Sequence, residues 1–254
     1  MCGRFAFNFT WAEIHALLEL TTPLDQPPDF LAPRYNAAPT QSLPVALDTE
    51  GQRILRLMRW GLVPSWAKDR AIGNRLINAR SETARDKPAF RDAFARRRCL
   101  VPASGFYEWK RPERTAERTA GRKQPYFIQL LDASPFAMAG LWEQHVDPDG
   151  EPLTTFTILT TVPNELVAPL HDRMPVILHP GAYDRWLDPG ERDTDALTAM
   201  LVPYPAQRMR AHPVSTRVNS PANDDPVCLA PLERPAPGTG PPTGLFPGDG
   251  ASTD

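Results

Sequence analysis

Thirty prolines are spread through this 254-residue chain, more than twice the usual ~5%. Proline lacks a backbone N–H and fixes φ, so it interrupts helices and tolerates strand edges, bends and turns. Long helices are therefore excluded over most of the sequence, and bent, loop-rich β structure is favoured. The chain is long enough to bury a sizeable core, as one large domain or two small ones.

Segments read accordingly. "GRFAF" alternates like a strand before the helical "TWAEIHALLEL", where Thr10 and Glu13 form a capping-box pattern. "SLPVALD" and "RILRLMRWGLV" flank "TEGQ" as a hairpin, and "RCLVPASGFYEWK" and "PYFIQLL" flank the insert 111–124. "FAMAGLWEQ" and "TTFTILTT" flank "HVDPDGEPL", whose Asp-Gly step predicts a turn. "DRMPVIL" and "MRAHPV" add short strands, and "DKPAFRDAFARR", "PNELVAPLH" and "GAYDRWL" read as short helices. Hairpin links imply antiparallel pairing. The expected class is α+β, a single domain over residues 1–230 with an antiparallel, barrel-like β core and several short helices. The tail 231–254, with 6 Pro and 5 Gly, cannot bury enough surface to offset its ordering entropy and is expected to be disordered.

Three cysteines, Cys2, Cys99 and Cys228, lie far apart with no C-x-x-C spacing, which argues against a disulfide framework or structural zinc. No metal or cofactor is expected. Arg4 and Asn8 near the start do not suit a signal peptide, and no run of about 18 apolar residues predicts a membrane span. A reducing cytosol is the expected compartment, and it would keep Cys2 a thiol. The formal charge of −2 arises in the tail, so residues 1–230 are neutral overall. That excludes a broad non-specific DNA clamp and leaves room for a local basic groove. The insert 111–124 carries net +3 and either extends such a groove or forms a solvated hairpin tip.

Four polar stretches can carry chemistry: Cys2-Gly3-Arg4, "NARSET" (78–83), "SGFYEW" with Glu108, and "PLHDRMP" with His171, Asp172 and Arg173. Each has a plain alternative. Cys2 can open a strand as a small apolar residue. Glu108 can face solvent between Tyr107 and Trp109, His171 can cap a helix, and "NARSET" can start one. Together, however, they fit one reaction. Loss of Met1 would give Cys2 a free α-amine, whose ordinary pKa of ~7.7–8.0 leaves a fraction neutral at pH 7. Amine and thiol on adjacent carbons condense with an aldehyde to an imine and then a thiazolidine. Such a site needs an acid, an imidazole and a neutral polar group; Glu108, His171 and Asn78 supply these types.

The ordered motifs "MCGRF", "RYNAAPTQ", "WGLVPSWAKD", "NARSET", "GFYEW" and "LHDRMPVIL" resemble the SRAP (SOS response-associated peptidase) family of abasic-site processing proteins, from Cys2 to about Val214. The resemblance implies a compact α+β domain around a barrel-like core. It also implies removal of Met1 and cross-linking of Cys2 to the ring-opened aldehyde of an abasic site in single-stranded DNA. Asn78, Glu108 and His171 carry over as the supporting catalytic residues. Arg4, Arg34 and Arg80 are expected phosphate contacts, and Pro39 and Trp66 are suited to wedging or stacking on exposed bases. Replication-fork junctions are a further expected substrate, lyase activity and self-removal of Met1 are further expected activities, and a monomer associated with the nucleoid when on DNA is the expected state. Two rival readings are a cysteine peptidase or amidohydrolase with Cys2 as N-terminal nucleophile, and a non-covalent single-strand binding module with Cys2 structural.

Overall fold

The computed structural model describes residues 2–110, 123–146 and 149–232. Most of the insert 111–124 and of the C-terminal tail therefore falls outside the described residues, and so does the expectation for each.

The chain begins with β1 (Phe5–Phe7) and α1 (Trp11–Leu18). Thr10 caps the helix as its sequence predicts: its hydroxyl accepts from the Glu13 amide and the Glu13 carboxylate accepts from the Thr10 amide at 2.8 Å. Then come β2 (Arg34–Ala37), β3 (Ser42–Thr49) and β4 (Gln52–Trp60). The β3–β4 turn places Glu50 and Gly51 at φ 56° and 76°, the left-handed pair that two-residue hairpins need. Next are β5 (Asn78–Arg80), α2 (Arg91–Arg96), β6 (Arg98–Ala103), β7 (Gly105–Lys110), β8 (Gln124–Leu130), β9 (Phe136–Val146) and β10 (Pro152–Thr161). The last elements are β11 (Met174–Pro175), β12 (Ile177–Leu178), α3 (Tyr183–Leu187), α4 (Thr194–Ala199) and β13 (Met209–Pro213).

Strands β10, β4, β3, β6 and β9 pair in that order, and β9 returns to β10, closing a ring. A second, five-stranded sheet has the order β13-β8-β7-β1-β2. The stretch read as one strand, "RCLVPASGFYEWK", divides between the two: β6 belongs to the ring and β7 to the second sheet, with the break at Ser104, whose amide donates to Ala6 O at 2.9 Å. Gly105 permits the crossing, because a Cβ there would lie 2.2 Å from the Phe127 ring.

The α+β, barrel-like class holds and the hairpin-linked strands pair antiparallel, with one addition to the pairing and one expected helix not formed. Pairing is not wholly antiparallel: β10 runs parallel to β4 (Thr155 opposite Arg59) and to β5 (Ile158 opposite Asn78). The chain leaves β4 at Gly61 (φ 122°), where a Cβ would lie 2.5 Å from the Gly73 carbonyl oxygen. It then returns to the same edge of β10 in the same direction. Nor does "PNELVAPLH" form a helix; residues 165–170 are successive turns. Pro169 cannot donate and disfavours helical backbone at Ala168, so the segment closes only single turns such as His171 N to Val167 O at 2.9 Å.

The main core holds Cys2, Phe5, Phe7, Trp60, Phe106 and Phe156, and a smaller one on the other face of the second sheet holds Ala6, Tyr107, Phe127, Val214 and Val218. Alternation along β7 decides where Glu108 goes. Tyr107 joins the small cluster and Trp109 packs on it, so Glu108 shares the inner face with Phe106.

Candidate active site

Cys2 precedes β1 and is fully buried. β1 pairs antiparallel with β7, Phe5 opposite Phe106, and the Tyr107 amide donates to Arg4 O at 3.0 Å. That register leads residues 2 and 3 along Glu108, which is 2% exposed. Burial pushes the Glu108 carboxyl up to about 8, helped by the nearby charge of Asp172 and opposed by the positive chain terminus and the Trp109 amide. The Cys2 thiol is pushed well above the ordinary thiol range, first by burial and then by Glu108. The side chain is thus a thiol rather than a thiolate, close enough to Glu108 for that group to act on it electrostatically.

Strand β5 brings Asn78 to the same place. Its Nδ2 donates to the Cys2 carbonyl at 2.9 Å, while its Oδ1 is buried without a hydrogen-bond partner among the described residues. Arg80 stands on the same face of β5, with buried Ala79 on the other. The Arg80 side chain is exposed and makes no hydrogen bond or ion pair among the described residues, though its charge helps hold the Glu82 carboxyl down. The 171–173 loop lies near enough for the Asp172 charge to act on Glu108. His171 is half-buried, with Nδ1 2.8 Å from Asp172 Oδ1 and 3.0 Å from the Arg173 amide. Arg173 grips both oxygens of Glu82 at 2.7 and 2.8 Å and also donates to Thr160 O. The Ser81 amide donates to the same Thr160 oxygen at 2.9 Å, so "NARSET" and "HDRMP" are tied together at the end of β10.

The remaining predicted residues occupy other surroundings. Arg4 is half-buried and donates to Asn36 Oδ1 (2.8 Å), Val218 O (2.7 Å) and Asn219 O (3.2 Å). Arg34 pairs with Asp224 and donates to Gln41 Oε1 at 2.7 Å. Both guanidiniums thus hold the 218–224 loop against β1 and β2. Pro39 sits in the turn whose Thr40 amide donates to Trp60 O at 2.9 Å. Trp66, on the segment that continues from Trp60, is 57% exposed. It lines a cleft of about 540 Å³ with Lys68 and Arg75 at its margin. A larger cavity of about 830 Å³, lined by Leu17, Phe136, His179 and Tyr204, touches none of the Cys2 group. Among the described residues no three His, Cys, Asp or Glu converge as metal ligands. No helix there is long and apolar enough to cross a membrane.

Sequence reasoning left Glu82, Asp172 and Arg173 without roles although it quoted the motifs that hold them. Their signal was charge complementarity between "NARSET" and "HDRMP". Asn36 and Asp224, which orient Arg4 and Arg34, carried no sequence signal.

The sequence profile of the SOS response associated peptidase (SRAP) family matches residues 1–221. The chain belongs to the SRAP family. It is 43% identical over 231 residues to the abasic site processing protein YoqW of Bacillus subtilis, covering 90% of this chain and 99% of that one. It is 35% identical over 272 residues to the abasic site processing protein HMCES of Gallus gallus, covering 92% and 78%. A crystal structure of a Bacteroides thetaiotaomicron protein superposes with a TM-score of 0.78 at 25% identity, over 91% of this chain and all of the other.

Proposed function

We propose that this SRAP protein processes abasic sites in single-stranded DNA by covalent capture through Cys2. The observation that carries the proposal is the grouping of a buried Cys2 with a protonated Glu108 and an Asn78 bonded to the Cys2 carbonyl. Removal of Met1 frees the Cys2 amine. The amine adds to C1 of the ring-opened sugar, giving a carbinolamine; loss of water gives the imine. The thiol then adds to the imine carbon, its proton passing to nitrogen, and a C–S bond closes the thiazolidine. One water is released overall.

The residues divide this work. Glu108, protonated at neutral pH, donates to the departing carbinolamine hydroxyl. Asn78 holds the Cys2 main chain and offers Oδ1 to the amine or to a sugar hydroxyl. His171 opens the closed sugar and assists reversal. Arg80 offers an exposed cation to a flanking phosphate and Trp66 an exposed ring to an unstacked base. Arg4 and Arg34 act on DNA chiefly through the loop they hold, and Pro39 lies beside the strand end that leads to Trp66. An unclosed imine would permit elimination of the 3′ phosphate, a lyase reaction that thiol capture suppresses.

A peptidase with a Cys2 nucleophile needs a stabilised thiolate. Burial and Glu108 act in the opposite direction, which favours amine attack first and thiol addition second. Fork junctions, a monomeric state and association with the nucleoid are parts of the same proposal. Intact-mass analysis after mixing with a single-stranded abasic oligonucleotide tests it. The expected product is protein lacking Met1 plus the oligonucleotide minus one water; unmodified protein after full incubation, or turnover of peptides instead, overturns it.

A further inference from the structure

Two neighbours compete for one ring nitrogen of His171. The Arg173 amide donates to Nδ1 at 3.0 Å, which requires an unprotonated Nδ1 and places the neutral ring's proton on Nε2. Asp172 Oδ1 lies 2.8 Å from the same Nδ1, a contact that is favourable only when Nδ1 carries a proton. Arg173 is held by its fork on Glu82 and by Thr160 O, whereas Asp172 is exposed, its side chain 86% accessible. Glu82, the partner of Arg173, is held below the usual carboxylate range by the Arg173 hydrogen bonds.

We propose that Arg173, anchored by Glu82, and Asp172 are positioning residues that select between the two neutral tautomers of His171. In the Arg173-bound form Nε2 is a donor only. Protonation at Nδ1 turns the ring toward Asp172 and creates an imidazolium. That imidazolium gives its Nε2 proton to a sugar oxygen and leaves the Nδ1–H tautomer on Asp172, a base at Nε2. Return of the proton to Nε2 regenerates the imidazolium, and loss of its Nδ1 proton to solvent restores the Arg173-bound form. The inference rests on the proposed role of His171, but the geometry it concerns belongs to the free protein.

Nitrogen-15 NMR of histidine-labelled protein without DNA reads the tautomer directly, and release of the cross-link across pH 5–9 reads its consequence. The charged groups that enter that profile are Asp172 and Arg173 at the ring, Glu82 on Arg173, Arg80 acting on Glu82, and Glu108 within reach of the Asp172 charge. Glu82→Gln loosens the anchor and should raise the Nδ1–H population. Asp172→Asn, whose amide donates to Nδ1, should leave only the Nε2–H form and slow release roughly tenfold, the size of effect that outer supporting contacts have elsewhere. Glu82 and Asp172 are exposed, so both variants should fold, and spectral dispersion checks this. Wild-type tautomer populations in both folded variants, or shifts of reversed sign, overturn the inference even if cross-linking proceeds. A tautomer shift in protein that forms no adduct would instead sustain the inference and remove the proposed function.

Discussion

The Asn78 side-chain amide donates to the Cys2 main-chain carbonyl at 2.9 Å, joining residues 76 positions apart. The bond fixes the Cys2–Gly3 peptide and thereby anchors the Cα that carries the Cys2 amine and thiol. Asn78→Ala should slow cross-linking by roughly 10–100-fold, within the range of lost orienting contacts, while costing about 1 kcal/mol of stability for one hydrogen bond. Single-turnover gels and thermal melts check the two halves. A large loss of stability with normal cross-linking would make the bond structural.

Glu108→Gln should slow adduct formation by about 10²–10⁴-fold, the usual size of general acid contributions. Equal rates in variant and wild type at pH 6 would remove Glu108 from the proton transfers.

The same variant makes a stability prediction of definite sign. The folded carboxyl is raised to about 8, so the folded state prefers the protonated form. Its contribution is fully present below the ordinary glutamate range and is lost as pH rises through about 8. Wild type should therefore lose stability between pH 5 and 9 by up to a few kcal/mol, at ~1.4 kcal/mol per unit of displacement. Glu108→Gln should flatten that part of the curve. Parallel wild-type and variant melting profiles would contradict the raised carboxyl.

Cys2→Ser keeps an amine but replaces the thiol with a poorer ring-closing group. The expected outcome is loss of the stable adduct, with strand cleavage from the open imine in its place. Intact mass and denaturing gels distinguish this from Cys2→Ala behaving as wild type, which would leave the thiol without a chemical role.

Arg80→Ala should weaken binding to single-stranded oligonucleotides and reduce the slope of log affinity against log salt by about 1. Trp66→Ala should weaken binding by about 1–3 kcal/mol, the value of one stacked base, with little change in slope. Fluorescence anisotropy over a salt series separates the two; the opposite pattern would exchange their roles.

Much of this was legible in the sequence. The capping box at Thr10 and the turn at Glu50-Gly51 depend on neighbouring residues alone, and both formed as written. The α+β barrel-like class followed from proline density and hairpin signals. What local pattern could not show was tertiary. Glu108 alternates like a solvent-facing residue, but both faces of β7 are covered, so alternation merely chose which core received it. The parallel contacts of β10 with β4 and β5 involve residues about 80 to 100 apart, beyond any periodicity. The cysteine, carboxyl, imidazole and amide were recognisable as chemical types; the Arg173–Glu82 fork that ties their loops together needed coordinates.

Strand β10 belongs both to the closed ring, through β9 and β4, and to the site, through β5 and β11. Those of its amides that bond to β9 and β4 should therefore exchange with the ring rather than by local fluctuation. The scaffold under Asn78 and Arg173 is thereby coupled to the ring through β10. Damage to the distant side of the ring would consequently reduce the number of competent molecules while leaving the chemistry of each survivor unchanged.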